Sequence, residues 1–302
     1  VASEVRDPQR TIPIALILSV LLSTVIYLLL QLAFLGSIPP HLLDKGWGDT
    51  GTLFSLPYHD IALTLGMGWL ATLVVCDAVI SPSGTGNIYM NATPRVVYGW
   101  ARSGSFFQVF TRIDVRSGIP RPALWLTFAL SIFWTLPFPS WQALISVVSA
   151  ALVLSYAVAP ITVAALRRNA PELSRPFRVR ALGVLGPASF VIATLIVYWS
   201  SWQTVSWLLG LQLVLFAIYV PWRLSSPDGR LRLRQELRSS WWLVVYYALL
   251  IALSWLGTFG GRGIIGHPWD TAAVAVVGVV IYYWGASTGL PARLLDLGSD
   301  DD

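Results

Sequence analysis

Apolar stretches alternate with polar gaps along the whole chain. They run over residues 13–35, 61–81, 122–138, 141–166, 183–201, 203–222, 241–258 and 271–290. Most approach the ~20 residues that an α-helix needs to cross ~30 Å of hydrocarbon. Each is expected as a membrane-spanning helix, so the pattern predicts an all-α polytopic bundle of about eight spans. The polar gaps are unequal. Residues 1–12 and 223–240 are rich in Arg, the latter with the option of a short amphipathic helix. Residues 36–60 form the longest loop, rich in Gly and Pro. The tail at 291–302 ends in Asp residues and is expected to be unstructured. Pro13 is expected in the first turn of the first helix, where a missing N–H does no harm.

Charge then orients the spans. Eighteen of the 20 Lys and Arg residues fall in alternate gaps, beginning with Arg6 and Arg10 and ending with Arg293. The intervening gaps hold only Lys45 and Arg262. Arg-rich loops stay cytoplasmic, so the odd spans are expected to run outward and the even ones to return. The same rule accounts for the basic pI of about 9.6, and nucleic acid is not expected as a partner. A lipid bilayer is. Charged residues make up 12% of the chain, against ~25% in an average soluble domain. Trp199, Trp202, Trp207, Trp241, Trp242, Tyr282, Tyr283 and Trp284 sit near span ends, as interfacial belt residues do.

The second span carries the most chemistry. Its apolar run contains Asp77 and continues through SPSGTGNIYMNATPRVVYGWAR, residues 81–102. Helical from 61 to 102, it would reach ~60 Å, so it is expected to tilt, project or break. Pro82 frees the carbonyl of Ala78. An ionisable group at membrane depth normally faces a bundle interior or a watery cavity. Asp77, Ser81 and Thr85 follow an i, i+4, i+8 spacing and share a helix face, with Tyr89 about a quarter turn around. One carboxylate, two hydroxyls and freed carbonyls suit a hard cation such as Na⁺, a substrate ammonium or a proton. The alternatives are plain: Asp77 pairs with a polar group of another helix, and each hydroxyl back-bonds to the i−4 carbonyl. Arg95 reads as an interfacial anchor. Ser146, Ser149 and Ser155 read as helix-packing residues.

Other chemistry is thin. Cys76 is the single cysteine and reads as a small core residue without disulfide or zinc partners. His41, His59 and His267 all fall in outer gaps, where solvated loop histidines are expected rather than a metal site. No G-x-S-x-G, P-loop or H-E-x-x-H is present. Neither an enzyme, a catalytic residue nor a cofactor is expected.

Four segments resemble one family. SEVRDPQRTIPIAL at 3–16, NATPRVVYGWARSGSFF at 91–107, GIPRPAL at 118–124 and RPFRVR at 175–180 are similar, in order and spacing, to segments of amino acid permeases of the amino acid–polyamine–organocation superfamily. The resemblance covers about residues 1–222. It implies that these are helices seven to twelve, followed by the Arg-rich loop at 223–240 and two additional helices at 241–290. That makes the chain the C-terminal portion of an inverted-repeat transporter fold, similar to 14-helix bacterial proton-coupled amino acid symporters. The N-terminal helices, with the two broken helices that hold substrate in the family, are then expected to be missing partners. Chain start at Val1 without an initiator Met points the same way. GSFF at 104–107 departs from the family's Gly-hydrophobic-hydrophobic-Pro, so a Pro-defined helix stop is lost.

The implied activity is secondary amino acid transport by alternating access in a bacterial plasma membrane, proton-coupled. An exchanger or sodium-coupled symporter of the same fold is the alternative. A non-transporting sensor or partner subunit is the alternative of another class, and a channel a further one. By the resemblance, Thr85 and Tyr89 line the substrate path, with Ser81 near it. The residue reading places ion or proton coupling on Asp77.

Overall fold

A computed structural model describes residues 6–38, 54, 56–104, 106–114, 116–136, 141–172, 175, 177–224 and 227–289. The regular elements among its described residues are all helices, with no strand among them. They group into two compact units, Val1–Pro137 and Phe138–Asp302.

The first unit begins with α1, Pro8–Ser37. Pro8 takes the first-turn position, so Pro13 lies inside the helix instead. The helix starts earlier than its apolar run because the polar PQRT segment is itself helical. No residue of α1 is buried, although its hydropathy is the highest of any helix long enough to span. Helix α2, Pro57–Thr64, ends in a Schellman arrangement. Gly66 adopts φ +73°, and the N–H groups of Met67 and Gly66 donate to the carbonyls of Ala62 and Leu63 at 2.8 and 2.9 Å. Only a residue tolerant of positive φ closes a helix this way. The expected second span is therefore broken near its start.

Helix α3, Gly68–Arg102, then runs for 35 residues without interruption through Pro82 and Pro94. At 1.5 Å per residue it is about 52 Å long. It stops at Gly104, φ +73°, whose N–H donates to the Ala101 carbonyl. Glycine supplies the terminus that the missing proline does not. A 3₁₀ turn at Gln108–Thr111 and helix α4, Arg121–Thr135, pack against α3. Trp100 meets Phe106, which stacks on Phe110 at 5.2 Å. Ala123 and Thr127 of α4 are buried.

The second unit holds α5 (Trp141–Asn169), α6 (Leu182–Trp199), α7 (Trp202–Leu224), α8 (Pro227–Leu256) and α9 (Trp269–Ser287). Buried Ala150, Leu154, Ala157 and Ile161 make one stripe of α5 at i, i+4, i+7, i+11, the spacing of a single helix face. The stripe joins Phe190 and Val197 of α6 and Tyr246 of α8 in one core. Small residues allow the closest approaches, as in helix pairs generally within lipid. A Cβ on Gly186 would collide with the Tyr282 hydroxyl, and one on Gly285 would press on Ile161 and Trp242 at 2.9–3.1 Å. Gly285→Val should therefore lower the thermal midpoint of the purified protein, by overpacking worth ~1–3 kcal/mol. A midpoint equal to the parent's would show that α9 does not seat on Trp242.

Arg175, of the RPFRVR segment, explains why an arginine belongs there. Its guanidinium donates to the carbonyls of Leu166, Ala170 and Pro171, at and just beyond the C-terminal end of α5, where the helix dipole favours a cation. Arg167 donates to Val179 at 3.0 Å. Residues 227–240, expected as an Arg-rich loop with a short helix as the option, are continuous with the seventh apolar stretch in α8. Glu236 of that segment pairs with Arg223 at 3.0 Å.

Among the described residues six helices are long and apolar enough to cross a membrane: α1 and α5–α9. The expected second and third spans are helical but do not reach that measure, because α3 carries the polar run after Ile80 and α4 has 15 residues. The belt positions also divide. Trp199, Trp207, Trp241 and Tyr283 are exposed, whereas Trp242 and Tyr282 are buried. Neighbours on a helix point ~100° apart, so one of each pair turns inward. The acidic tail and most of the 36–60 loop, His41 included, lie outside the described residues.

Candidate functional site

The site is built on α3. Asp77, Ser81, Thr85 and Tyr89 all lie on this one unbroken helix and all are exposed. Successive residues four apart rotate by 40°, so the four form a shallow spiral stripe rather than a cluster. Within it the polar groups bond locally. The Thr85 hydroxyl donates to the Ser81 carbonyl at 3.0 Å, and Ser83 donates to Val79 at 2.6 Å. Thr85 thus adopts the back-bonded arrangement. Asn91 donates to the Asn87 carbonyl one turn further on. Pro82 leaves the Ala78 carbonyl without its helical donor, and the helix continues regardless.

Among the described residues the Asp77 carboxylate has no hydrogen-bond or ion-pair partner, and of the four side chains only that of Thr85 makes a hydrogen bond. Asp77 is not buried, which corrects the expectation of a bundle interior, but it borders a cavity of about 490 Å³. The cavity is walled by α1, α2 and α3, through residues such as Phe34, Tyr58, Ile61, Leu70 and Val74. Ser81, Thr85 and Tyr89 are not on its wall. The structure therefore separates what spacing had placed together: Asp77 turns to the cavity, and the other three continue along α3.

The secondary candidates also resolve. Arg95 is exposed, as an anchor should be. Ser146, Ser149 and Ser155 are exposed rather than packed, because the buried stripe of α5 runs along its other side. Cys76 is exposed and not a core residue. His59 lies 2.9 Å from Asp60, whose carboxylate accepts the Leu56 N–H at the start of α2. No three His, Cys, Asp or Glu side chains come together as metal ligands among the described residues.

The sequence reading missed one polar centre. Asp270, 1% exposed, is the one buried charged residue among those described. Its carboxylate accepts hydrogen bonds from the Tyr198 hydroxyl (2.7 Å), the Thr258 hydroxyl and N–H (2.6 and 3.1 Å) and the Thr271 N–H (2.6 Å). It ties α6, the α8–α9 turn and the start of α9 together. One signal was available: an acidic residue in the first turn of a helix, facing the positive end of its dipole.

With this geometry in view, the comparisons with known proteins fall into place. The model of the amino acid permease family matches residues 1–253. The Aspartate-proton symporter of Bacillus subtilis (strain 168) is 53% identical over 297 residues, covering 98% of this chain and 57% of that protein. The Glutamate/serine transporter AimA of the same organism is 33% identical, covering 97% and 54%. A vacuolar Cationic amino acid transporter 2 of Arabidopsis thaliana is 28% identical over 57% of this chain. These are names of transporters, not of enzymes. The chain spans just over half the length of the two bacterial relatives. No solved structure matches it. By the family match and the membrane-length helices together, this chain is a multi-pass membrane protein that belongs to the amino acid permease family.

Proposed function

We propose that the chain is part of a proton-coupled amino acid symporter of a bacterial plasma membrane, working by alternating access. The observation that carries this is the 53% identity to a protein named as an aspartate-proton symporter, sustained over 98% of the chain. Acidic amino acids are the proposed substrate class. Thr85 and Tyr89 are proposed to line the substrate path, with Ser81 beside it, and Asp77 to carry the proton. An ionised Asp77 near an anionic substrate adds like-charge repulsion, whereas a protonated one does not. Loading the proton would therefore favour loading the substrate, which is the logic of symport. Helices one to six of the longer protein are the proposed partners that complete the substrate site.

Uptake of labelled aspartate by the full-length permease in proteoliposomes, driven by an imposed pH gradient, tests the reading. Accumulation that collapses with a protonophore and does not need Na⁺ is expected. Na⁺-dependent accumulation would favour the sodium-coupled alternative, and exchange without accumulation the exchanger. The orientation is tested separately, in a Cys76→Ala background. Arg262→Cys should react with an impermeant maleimide outside intact cells, and Arg178→Cys only after permeabilisation. Labelling of Arg178→Cys in intact cells would invert the topology.

A further inference from the structure

The cavity bordered by Asp77 has a one-sided chemistry. Its volume of about 490 Å³ falls within the ~300–1,000 Å³ of small-molecule sites. Apart from Ser37, Tyr58 and Asp77, every side chain on its wall is apolar. The Ser37 hydroxyl already donates to the Ala33 carbonyl. Phe34 and Tyr58 set their rings edge to face at 5.8 Å on that wall. Among the described residues no basic side chain lines it, and Asp77 is the only charged one on its wall.

We propose that this cavity is a binding site for a hydrophobic monoamine, with the ammonium on Asp77 and the apolar body against Phe34, Tyr58 and Leu70. The wall discriminates by charge. An amino acid brings a carboxylate that finds no cation here and adds repulsion to Asp77. An amine of the same body brings only the ammonium, and a lone carboxylate over an apolar wall with aromatic rings suits that group. The site thus selects the amine over the corresponding amino acid. It is also distinct from the stripe of Ser81, Thr85 and Tyr89, which does not line the cavity. A bound amine would hold Asp77 ionised and slow proton-driven uptake. This regulatory consequence rests on the proposed coupling role of Asp77; the binding does not.

Tryptamine, its neutral analogue tryptophol and the amino acid tryptophan test it on the purified full-length permease. Saturable tryptamine binding is expected, with tryptophol and tryptophan weaker by roughly tenfold or more, as for loss of a charge-assisted contact. Asp77→Asn should remove the preference for tryptamine over tryptophol. A footprint covers the case of a variant that folds poorly. In the Cys76→Ala background, Ala33→Cys should be protected from N-ethylmaleimide by tryptamine and not by tryptophol. Equal binding of the three compounds overturns the proposal. An Ala33→Cys thiol unreactive in proteoliposomes with or without tryptamine also overturns it, since a lipid chain would then fill the cavity. If the footprint appears and tryptamine leaves proton-driven uptake untouched, the binding stands and the coupling role of Asp77 fails.

Discussion

Asp77→Asn in the full-length permease is expected to abolish uphill, pH-driven uptake while sparing exchange of substrate across the membrane. The substitution keeps shape and polarity and removes only the titration. Asp77 is exposed along α3 and has no partner among the described residues, so the neutral amide strands no donor and should not lower protein yield. Exchange needs the substrate contacts proposed for the stripe but no net proton movement. Uphill uptake should fall by roughly tenfold or more, the scale on which one ionisable group lost from a coupled cycle separates the two activities. The measurement is counterflow against pH-driven accumulation in the same proteoliposomes. Uphill uptake equal to the parent's at equal protein content would remove Asp77 from coupling. Loss of both activities together with yield would make it a structural residue.

Asp270→Ala should have the opposite character. It leaves the buried Tyr198 hydroxyl and the part-buried N–H groups of Thr258 and Thr271 without their acceptor. Each stranded donor costs ~1–3 kcal/mol, and a total of about 3–5 kcal/mol is expected. For a unit of this size that lowers the thermal midpoint by on the order of 10 °C. Tyr198→Phe removes one donor and leaves the carboxylate its others, so its effect should be smaller, about 1–2 kcal/mol. The readout is the melting of purified protein in detergent. An Asp270→Ala midpoint within about a degree of the parent's would show that the buried carboxylate is not what joins α6, the turn and α9.

The two aspartates show where sequence reasoning holds and where it fails. Asp77 stands out in sequence because charge inside an apolar run is locally visible, and it was taken to be enclosed. Asp270 sits at the edge of an apolar run and looks like an ordinary helix start. The structure reverses their environments. Asp270 is enclosed because Tyr198, its partner 72 residues away, reaches it across a helix packing. Asp77 stays exposed because the neighbouring helices α1 and α2 leave a cavity beside it.

What the amino-acid sequence alone determined are properties written in local stretches of chain. These are the helical class, the placement of apolar runs, the alternation of Arg-rich gaps and the family segments. Membrane length, orientation charge and backbone motifs act over one helix or one loop, so no long-range contact is needed to read them. At a finer scale, Gly66 and Gly104 stop helices where positive φ is required, and the apolar run over 61–81 does not announce the break at Gly66. Tertiary structure alone decided which face of each helix is covered. It turned Trp242 inward and left Trp241 exposed, set Gly285 under Trp242, and split Asp77 from the stripe of Ser81, Thr85 and Tyr89. In an apolar segment every face is hydrophobic, so periodicity cannot say which side packs; only the shapes and donors of helices distant in sequence can.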